Sequence, residues 1–220
     1  GHIPEATWVT LAHESGFISE HAVDVVLKNL DRATAILIGP GIGNHLSSKK
    51  FIETLLPSIK IPSVIDADGL RHLSQISEWH TKLFAPAVLT PHPGEMSALT
   101  GLSREEIQDN RQAVAEKYAK AWGHVVVLKG AFTIIAAPDG RTGIIPVATP
   151  ALARAGTGDV LAGLIVGLRA QGVDAYEAAV AGAYIHAQAG LRAAEEFGTT
   201  ASVLARDVMA CIPEIIAELE

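Results

Sequence analysis

The sequence predicts an α/β fold with a mostly parallel central sheet flanked by helices, on three observations. Short apolar runs rich in Val and Ile alternate with longer amphipathic segments, as they do in βαβ units. Most of these runs end at Gly, Pro or Asp, which is typical of buried parallel strands. The last third, from Asp159 to Glu220, carries Ala-rich helical patterns and no convincing strand. We therefore expect a helical C-terminal third.

Five segments are predicted to be strands of this sheet. They are Trp8 to Ala12, Ala35 to Gly39, Ser63 to Asp66, Ala87 to Leu89 and Val125 to Leu128. Residues 132–137 and 142–147 are predicted to form a hairpin toward one edge, because Asp139-Gly140 between them supplies the positive φ of a tight turn.

Helices are predicted between and after the strands. The segment from Ser19 to Leu30 begins with a capping serine, and Ser103 to Trp122 has an apolar face. A long Ala-rich run follows Gly158, and Gly172 and Gly198 are expected to break it.

Composition limits the class of protein. With 220 residues, 49% hydrophobic and 19% charged, the chain is expected to form a single domain over residues 1–220. Seventeen Lys and Arg against twenty-four Asp and Glu give a charge of -7, which argues against a nucleic acid partner. The apolar runs are too short to cross a membrane and no signal segment is evident. We expect a cytoplasmic protein.

The strongest local signal is the turn Gly156-Thr157-Gly158-Asp159, which opens into an apolar helix. Exposed amides and the positive end of the helix dipole can bind phosphate oxygens there. Asp159 could take a proton from an attacking hydroxyl, or it could simply stabilise the helix start. No Gly-Lys-Ser/Thr follows, so the turn is not a Walker loop.

A second signal is the turn from Thr90 to Glu95, in which prolines on both sides restrict the backbone around His92. The alternative is a surface turn whose Glu95 stabilises the next helix. Ligands of open α/β sheets bind beyond the carboxyl ends of the strands. We therefore expect this turn to meet the turns Asp66-Ala67-Asp68 and Gly39 to Gly43 there.

Three further features each allow a plain structural interpretation. The turn from Gly39 to Gly43 is similar to a dinucleotide-binding fingerprint, with Asp66 as the ribose acid, but its third glycine comes one residue early. Lys129 ends a strand, where a lysine is usually solvated but could also meet a nucleotide phosphate. His186 is predicted to be a packed residue rather than a ligand.

Taken together, five blocks of sequence resemble the ordered signature of the NAD(P)H-hydrate dehydratases of the ribokinase-like superfamily. The blocks are Gly39 to Gly43, Val64 to Asp68, Leu89 to Met96, Leu128 to Thr133 and Ala148 to Gly163. The resemblance implies a ribokinase-like fold and the repair of NADHX and NADPHX, with ADP or ATP as co-substrate and Mg²⁺. The overall pattern looks prokaryotic, which suggests ADP.

The resemblance also implies a role for individual residues. Asp159 is expected to be the catalytic base and to contact the hydrate, together with His92 and with Gly41 or Gly43. Glu95 is expected to bind the metal through water. The nucleotide-binding residues implied are Lys129, Gly130, Ala131, Phe132, Thr133, Gly156, Thr157 and Gly158.

In the reaction that the resemblance implies, Asp159 deprotonates the hydroxyl of the hydrated ring, the nucleotide phosphorylates it, and phosphate then leaves. Family members begin with a further strand and helix, so we expect this chain to be N-terminally truncated relative to them. Bacterial relatives are typically tetramers. The rival functions are a vitamin-precursor or sugar kinase of the same superfamily and a nucleotide-binding scaffold that has lost catalysis.

Overall fold

The computed structural model describes residues 5–83 and 86–220, and a six-stranded sheet lies at its centre. Its strands follow chain order, with β3 to β6 parallel and β7 and β8 antiparallel. A small antiparallel hairpin of β1 and β2 precedes the sheet. The strands are β1 His13–Glu14, β2 Phe17–Ile18, β3 Ile36–Ile38, β4 Ser63–Ile65, β5 Val88–Leu89, β6 Val125–Leu128, β7 Ile134–Ala136 and β8 Thr142–Ile144.

Nine α-helices lie in the described part of the chain. They are α1 Val23–Leu30, α2 Leu46–Leu55, α3 Asp68–Leu73, α4 Pro93–Thr100, α5 Arg104–Asp109, α6 Arg111–Trp122, α7 Thr157–Ala170, α8 Ala175–Phe197 and α9 Ala205–Ala217. Short 3-10 turns cover Glu20–Ala22, Leu56–Ser58, Trp79–Lys82 and Pro150–Leu152. None of these helices is long and apolar enough to cross a membrane.

Four of the five predicted strands are confirmed, and so is the edge hairpin, whose turn contains Gly140 at φ 95°. The predicted strand from Trp8 to Ala12 is wrong. This segment pairs with no strand, and the side chains of Trp8 and Val9 are 72% and 46% exposed. Val9 and Leu11 of this segment lie beside Leu30 of α1. The carbonyl of Ala12 accepts from the backbone N–H of Ser19 at 2.9 Å, but the segment forms no ladder with a strand, so its β propensity is not realised.

The predicted helices are also confirmed, except that one of them is divided into two. Ser19 caps the turn that leads into α1, accepting from the backbone N–H of His21. The segment from Ser103 to Trp122 forms two helices, because Asn110 leaves helical geometry at φ -131° and ψ 38°. After Asp159 only helices occur in the described chain, with Gly172 and Gly198 in the breaks at positive φ.

The parallel strands β4, β5 and β6 are buried on both faces, which explains their uninterrupted apolar sequence, whereas β3 is partly buried. Ile65, Leu89 and Val126 lie side by side and pack into a core that includes residues of α2, α3, α4 and α6. Their neighbours Val64, Val88 and Val125 pack on the opposite face with α7 and α8. The fold is therefore a three-layer α/β/α arrangement, and the carboxyl ends of β3 to β6 meet at one edge.

Candidate active site

The turns that follow β4 and β6 are joined by a buried ion pair. The ammonium Nζ of Lys129 lies 2.6 Å from Oδ1 of Asp66, whose side chain is only 1% exposed. The hydroxyl of Thr90, after β5, donates to the same oxygen at 2.8 Å. Three strand ends thus converge on one carboxylate, as expected of the carboxyl edge of a parallel sheet.

The turn after β5 is stabilised by its own imidazole and carboxylate. Nδ1 of His92 accepts from the backbone N–H groups of Gly94 and Glu95, and Oε2 of Glu95 accepts from the backbone N–H of His92 at 2.8 Å. These bonds form a capping box at the start of α4. Because Nδ1 is an acceptor, the ring proton resides on Nε2, which lies 3.3 Å from Oε1 of Glu95.

Burial and neighbouring charges shift the pKa values of both His92 and Glu95. Burial, followed by the positive charges of Lys129, Arg71 and Arg104, lowers the pKa of His92. The ring is therefore neutral at neutral pH. Burial raises the pKa of Glu95, and this effect is opposed by Lys129, 3.7 Å away, and by the hydrogen bond from the His92 backbone.

The glycine turn after β3 is held against the start of α3. The backbone N–H of Gly43 donates to Oδ2 of Asp68 at 3.0 Å, and its carbonyl lies 2.9 Å from Nε2 of His72. Gly39 is at φ 130°, and a Cβ there would lie 1.7 Å from the carbonyl oxygen of Asp66. A close approach of two backbones therefore requires glycine at position 39.

The start of α7 faces the ion pair. Gly156 at φ 87° reverses the chain, and the hydroxyl of Thr157 bonds to the carbonyls of Leu152 and Arg154 at 2.7 and 2.8 Å. A Cβ at Gly158 would lie 3.4 Å from Nζ of Lys129. The amides of this helix start are thus beside a cation, an arrangement suited to phosphate.

Asp159 lies in the first turn of α7 and is solvent-exposed. Partial burial of the carboxyl group, followed by the negative charge of Asp66, raises its pKa, and Lys129 partly opposes this shift. A carboxylate with a raised pKa is a stronger base near neutral pH.

A cavity of about 820 Å³ opens between these elements. One end has the side chains of His92 and Lys129 and the helix start at Gly158. Thr149, Arg154 and His186 add further polar groups to the lining, and the rest of it is mostly apolar, with Ile145, Val147, Pro150, Leu152, Leu161, Ala183 and Ala187. This lining suits a nucleotide. The phosphates would lie at the polar end, beside the cationic and amide groups, and the base would lie along the apolar residues.

Most of the residues singled out in the sequence lie at this cavity. Gly130, Ala131, Thr133 and Thr157 line it. Phe132 does not; it is 53% exposed and adopts φ 55°, although its backbone N–H donates to Val147.

The other predicted site residues lie around the cavity. Gly156 precedes the lining residue Thr157, whereas Gly41 and Gly43 are not part of the wall. Glu95 is buried in its capping box, so its helix-stabilising role is confirmed and its metal role stays a prediction.

Three contributions were not evident from local sequence. Asp66 is the ionic partner of Lys129, which is 63 positions away. Arg111 donates to the carbonyl of Leu128 and lies against Gly130, so it supports the backbone on either side of Lys129. His186 is packed, as predicted, but it also lines the cavity.

The carboxylates near Lys129 suit one mode of magnesium binding. In the described residues, no group of three or more His, Cys, Asp or Glu could hold a metal ion. Mg²⁺ is usually bound by one or two carboxylates together with substrate phosphates and waters. Asp66 and Glu95, on either side of Lys129, provide that number of ligands, so the donors fit an ion that arrives with a nucleotide.

The fold and this cavity define a ribokinase-like α/β protein with a nucleotide-sized site. A ribokinase-like superfamily protein from Enterococcus faecalis superposes with a TM-score of 0.76 at 25% identity, over 91% of this chain and 69% of that one. The profile of the NAD(P)H-hydrate dehydratase family matches residues 3–214. The chain belongs to this carbohydrate-kinase-like family of NAD(P)H-hydrate dehydratases.

Relatives in the family are similar over most of this chain. The bifunctional NAD(P)H-hydrate repair enzyme of Moorella thermoacetica is 41% identical over 206 residues, which are 94% of this chain and 39% of that protein. The ADP/ATP-dependent NAD(P)H-hydrate dehydratase of Bacillus subtilis, co-crystallised with ATP and Mg²⁺, gives a TM-score of 0.75 at 28% identity. That superposition covers 92% of this chain and 79% of the other. The chain therefore spans well under half of the bifunctional relative.

Proposed function

We propose that this chain carries the nucleotide-dependent dehydratase activity that restores NADH and NADPH from NADHX and NADPHX. One observation carries the proposal: His92, Lys129 and Gly158 line a nucleotide-sized cavity at the carboxyl edge of the sheet. Asp159 does not line this cavity, but it follows Gly158 in α7 and is close enough to Lys129 and Asp66 for their charges to shift its pKa. Family membership supports the same function. As in the sequence-based expectation, we propose a cytoplasmic enzyme that forms homo-oligomers and binds neither nucleic acid nor membrane.

In the proposed reaction, Asp159 accepts the proton of the hydroxyl on the hydrated ring. The hydroxyl oxygen bonds to the terminal phosphorus of the nucleotide, and the bond from that phosphorus to the next phosphate oxygen breaks. The amides at Gly158 and the ammonium of Lys129 stabilise the charge on the phosphoryl oxygens. The lone pair of the ring nitrogen then expels phosphate, and loss of a neighbouring ring proton restores the double bond.

Other residues in this proposal bind rather than react. The segment from Lys129 to Thr133 would contact the nucleotide through backbone made accessible by Gly130. His92, neutral at neutral pH, would donate its Nε2 proton to the hydrate, with Gly41 or Gly43 as a further contact. Mg²⁺ would be held by the phosphates and Asp66, with Glu95 contacting it through water, and would neutralise charge during transfer.

ADP is the preferred co-substrate in this proposal, with ATP as the alternative. The name of the Bacillus subtilis neighbour includes both nucleotides. The rival kinase function shares the cavity, but vitamin-precursor kinases often carry cysteine at the position of Asp159. The aspartate therefore favours the dehydratase.

The test is incubation of the chain with NADHX, Mg²⁺ and either ADP or ATP while the absorbance of NADH is followed. Return of NADH only when nucleotide is present is the expected result. Phosphorylation of a sugar or vitamin precursor without any conversion of NADHX would favour the kinase. Nucleotide binding without turnover of any of these compounds would favour the scaffold.

A further inference from the structure

His186 on α8 has a buried polar atom for which the protein provides no partner. The residue is 7% exposed, and its Nε2 has no hydrogen bond within the described structure. Three other side-chain atoms in that part of the chain share this condition, on His72, Thr142 and Arg169. Of the four residues, only His186 lines the cavity. A buried polar group without a partner costs free energy, so this one requires an explanation.

The other ring nitrogen is already bonded. A hydrogen bond with the backbone of Thr157 raises the pKa of His186, as a bond from the ring to a carbonyl does. Since Nε2 lacks a partner, Nδ1 must be the donor in that bond. Burial outweighs this effect and lowers the pKa to about 4, so the ring is neutral. Nε2 of a neutral ring that is protonated on Nδ1 is an acceptor.

The chemistry of Nε2 points to the nucleoside rather than to the phosphates. His186 lies near the phosphate-binding groups, since its ring bonds to the backbone of Thr157, the residue before Gly158, and the charge of Lys129 lowers its pKa. Ionised phosphate oxygens are acceptors, so they cannot donate to Nε2. The N–H and O–H donors of a nucleotide belong to its base and its ribose.

We propose that Nε2 of His186 accepts a hydrogen bond from the nucleoside part of the bound nucleotide, either from the 6-amino group of adenine or from a ribose hydroxyl. The inference rests on the proposed nucleotide site and adds a specificity-determining residue to it. In this arrangement His186 contacts the nucleoside, while Lys129 and the start of α7 bind the phosphates.

Two substitutions separate this contact from packing. In His186→Asn the amide can replace Nδ1 as the donor to Thr157, but no atom reaches the position of Nε2. In His186→Gln the longer amide reaches that position and its oxygen can accept. The dissociation constant for ADP, measured by calorimetry on the 220-residue chain, should rise about tenfold in the Asn variant and less than threefold in the Gln variant. Circular dichroism checks folding.

Analogues identify the donor. Wild-type protein should lose affinity for one of inosine diphosphate, 2′-deoxy-ADP and 3′-deoxy-ADP, and the Asn variant should no longer distinguish that analogue from ADP. Equal binding of ADP by folded Asn variant and wild type would overturn the inference, and so would equal affinity of the wild type for all four nucleotides. If the wild type binds no ADP at all, the proposed nucleotide-dependent function fails as well.

Discussion

Lys129 lies between two carboxylates, 2.6 Å from Asp66 and 3.7 Å from Glu95. It is therefore not the solvated strand-end lysine that its sequence position also allowed. Its side chain is 18% exposed, so the pair is shielded from water and from salt. A nucleotide phosphate at Gly158 would share this cation with the two acids.

Asp159→Asn separates catalysis from folding. The amide keeps the size of the side chain but cannot accept the proton, so turnover of NADHX should fall by a factor on the order of 10²–10⁴. ADP affinity should persist or rise, because a negative charge near the phosphates is removed. Kinetics with NADHX and calorimetry with ADP measure the two effects. Near-parental turnover in a folded variant would leave Asp159 as a helix-stabilising acid only.

The same substitution should not weaken the fold. Folding raises the pKa of Asp159, so the ionised form is disfavoured in the folded state. This cost is absent below the unfolded pKa, grows as the pH rises above it and is complete above the folded pKa. Urea unfolding at pH 7 should give the Asn variant an equal or slightly higher free energy of unfolding. A clear loss of stability would show that the carboxylate has a structural role.

The raised pKa of Asp159 also sets the acid side of the pH profile. Turnover should fall as the pH drops through that pKa, which lies above that of an ordinary aspartate. In Asp66→Asn, one cause of the shift is removed while Lys129 still lowers the pKa, so the acid limb of kcat should move to lower pH. If a folded, active Asp66→Asn variant keeps the acid limb of kcat at the wild-type pH, that limb reports the titration of a group other than Asp159.

At the scale of the element, His92 both caps α4 and faces the cavity. His92→Ala should weaken hydrate binding more than ADP binding, but it also removes the cap, at a cost of about 1 kcal/mol of folding free energy. His92→Asn is the matched control, since asparagine caps helices well and lacks the imidazole. If the Asn variant binds NADHX like the wild type while the Ala variant does not, His92 acts only as a cap.

Two glycines of α7 provide a second matched comparison. A Cβ at Gly158 meets Lys129 Nζ only at 3.4 Å, and one at Gly163 meets nothing within 4 Å. Both Gly→Ala variants should therefore fold, and Gly163→Ala, in the helix interior, should gain about 0.5–1 kcal/mol of stability from helix propensity. Only Gly158→Ala should lower ADP affinity, because its methyl group occupies the space beside the amides. Equal ADP affinity in both variants would place the phosphates elsewhere.

At the scale of the whole molecule, the site depends on contacts between distant parts of the chain. The nucleotide is expected to bridge the loop after β6 and the start of α7. Added ADP should therefore slow hydrogen exchange in residues 129–133 and 156–159, and raise the melting temperature with ADP concentration. Protection confined to the turn from Gly39 to Gly43 would mean that the nucleotide and hydrate subsites are reversed.

Strand and turn predictions succeeded where the signal is local. The apolar run of β6 and the Asp139-Gly140 turn depend on neighbouring residues, so the sequence alone is sufficient. The run from Trp8 to Ala12 has similar local propensity, yet it is not a strand, because strand formation also needs a partner. The hydrophobic periodicity is continuous from Ser103 to Trp122, so it does not show that the backbone of Asn110 leaves helical geometry and separates α5 from α6.

The sequence by itself determined the α/β class, the glycine turns at the strand ends, the acid at the start of α7 and the family resemblance. Each depends on residues close together in the chain. Only the tertiary structure decided that Asp66 pairs with Lys129, that Glu95 forms a capping box with His92 and that His186 lines the cavity. These contacts join residues that the parallel sheet and the packing of α8 bring together, and their burial sets the charge states on which the proposed chemistry depends.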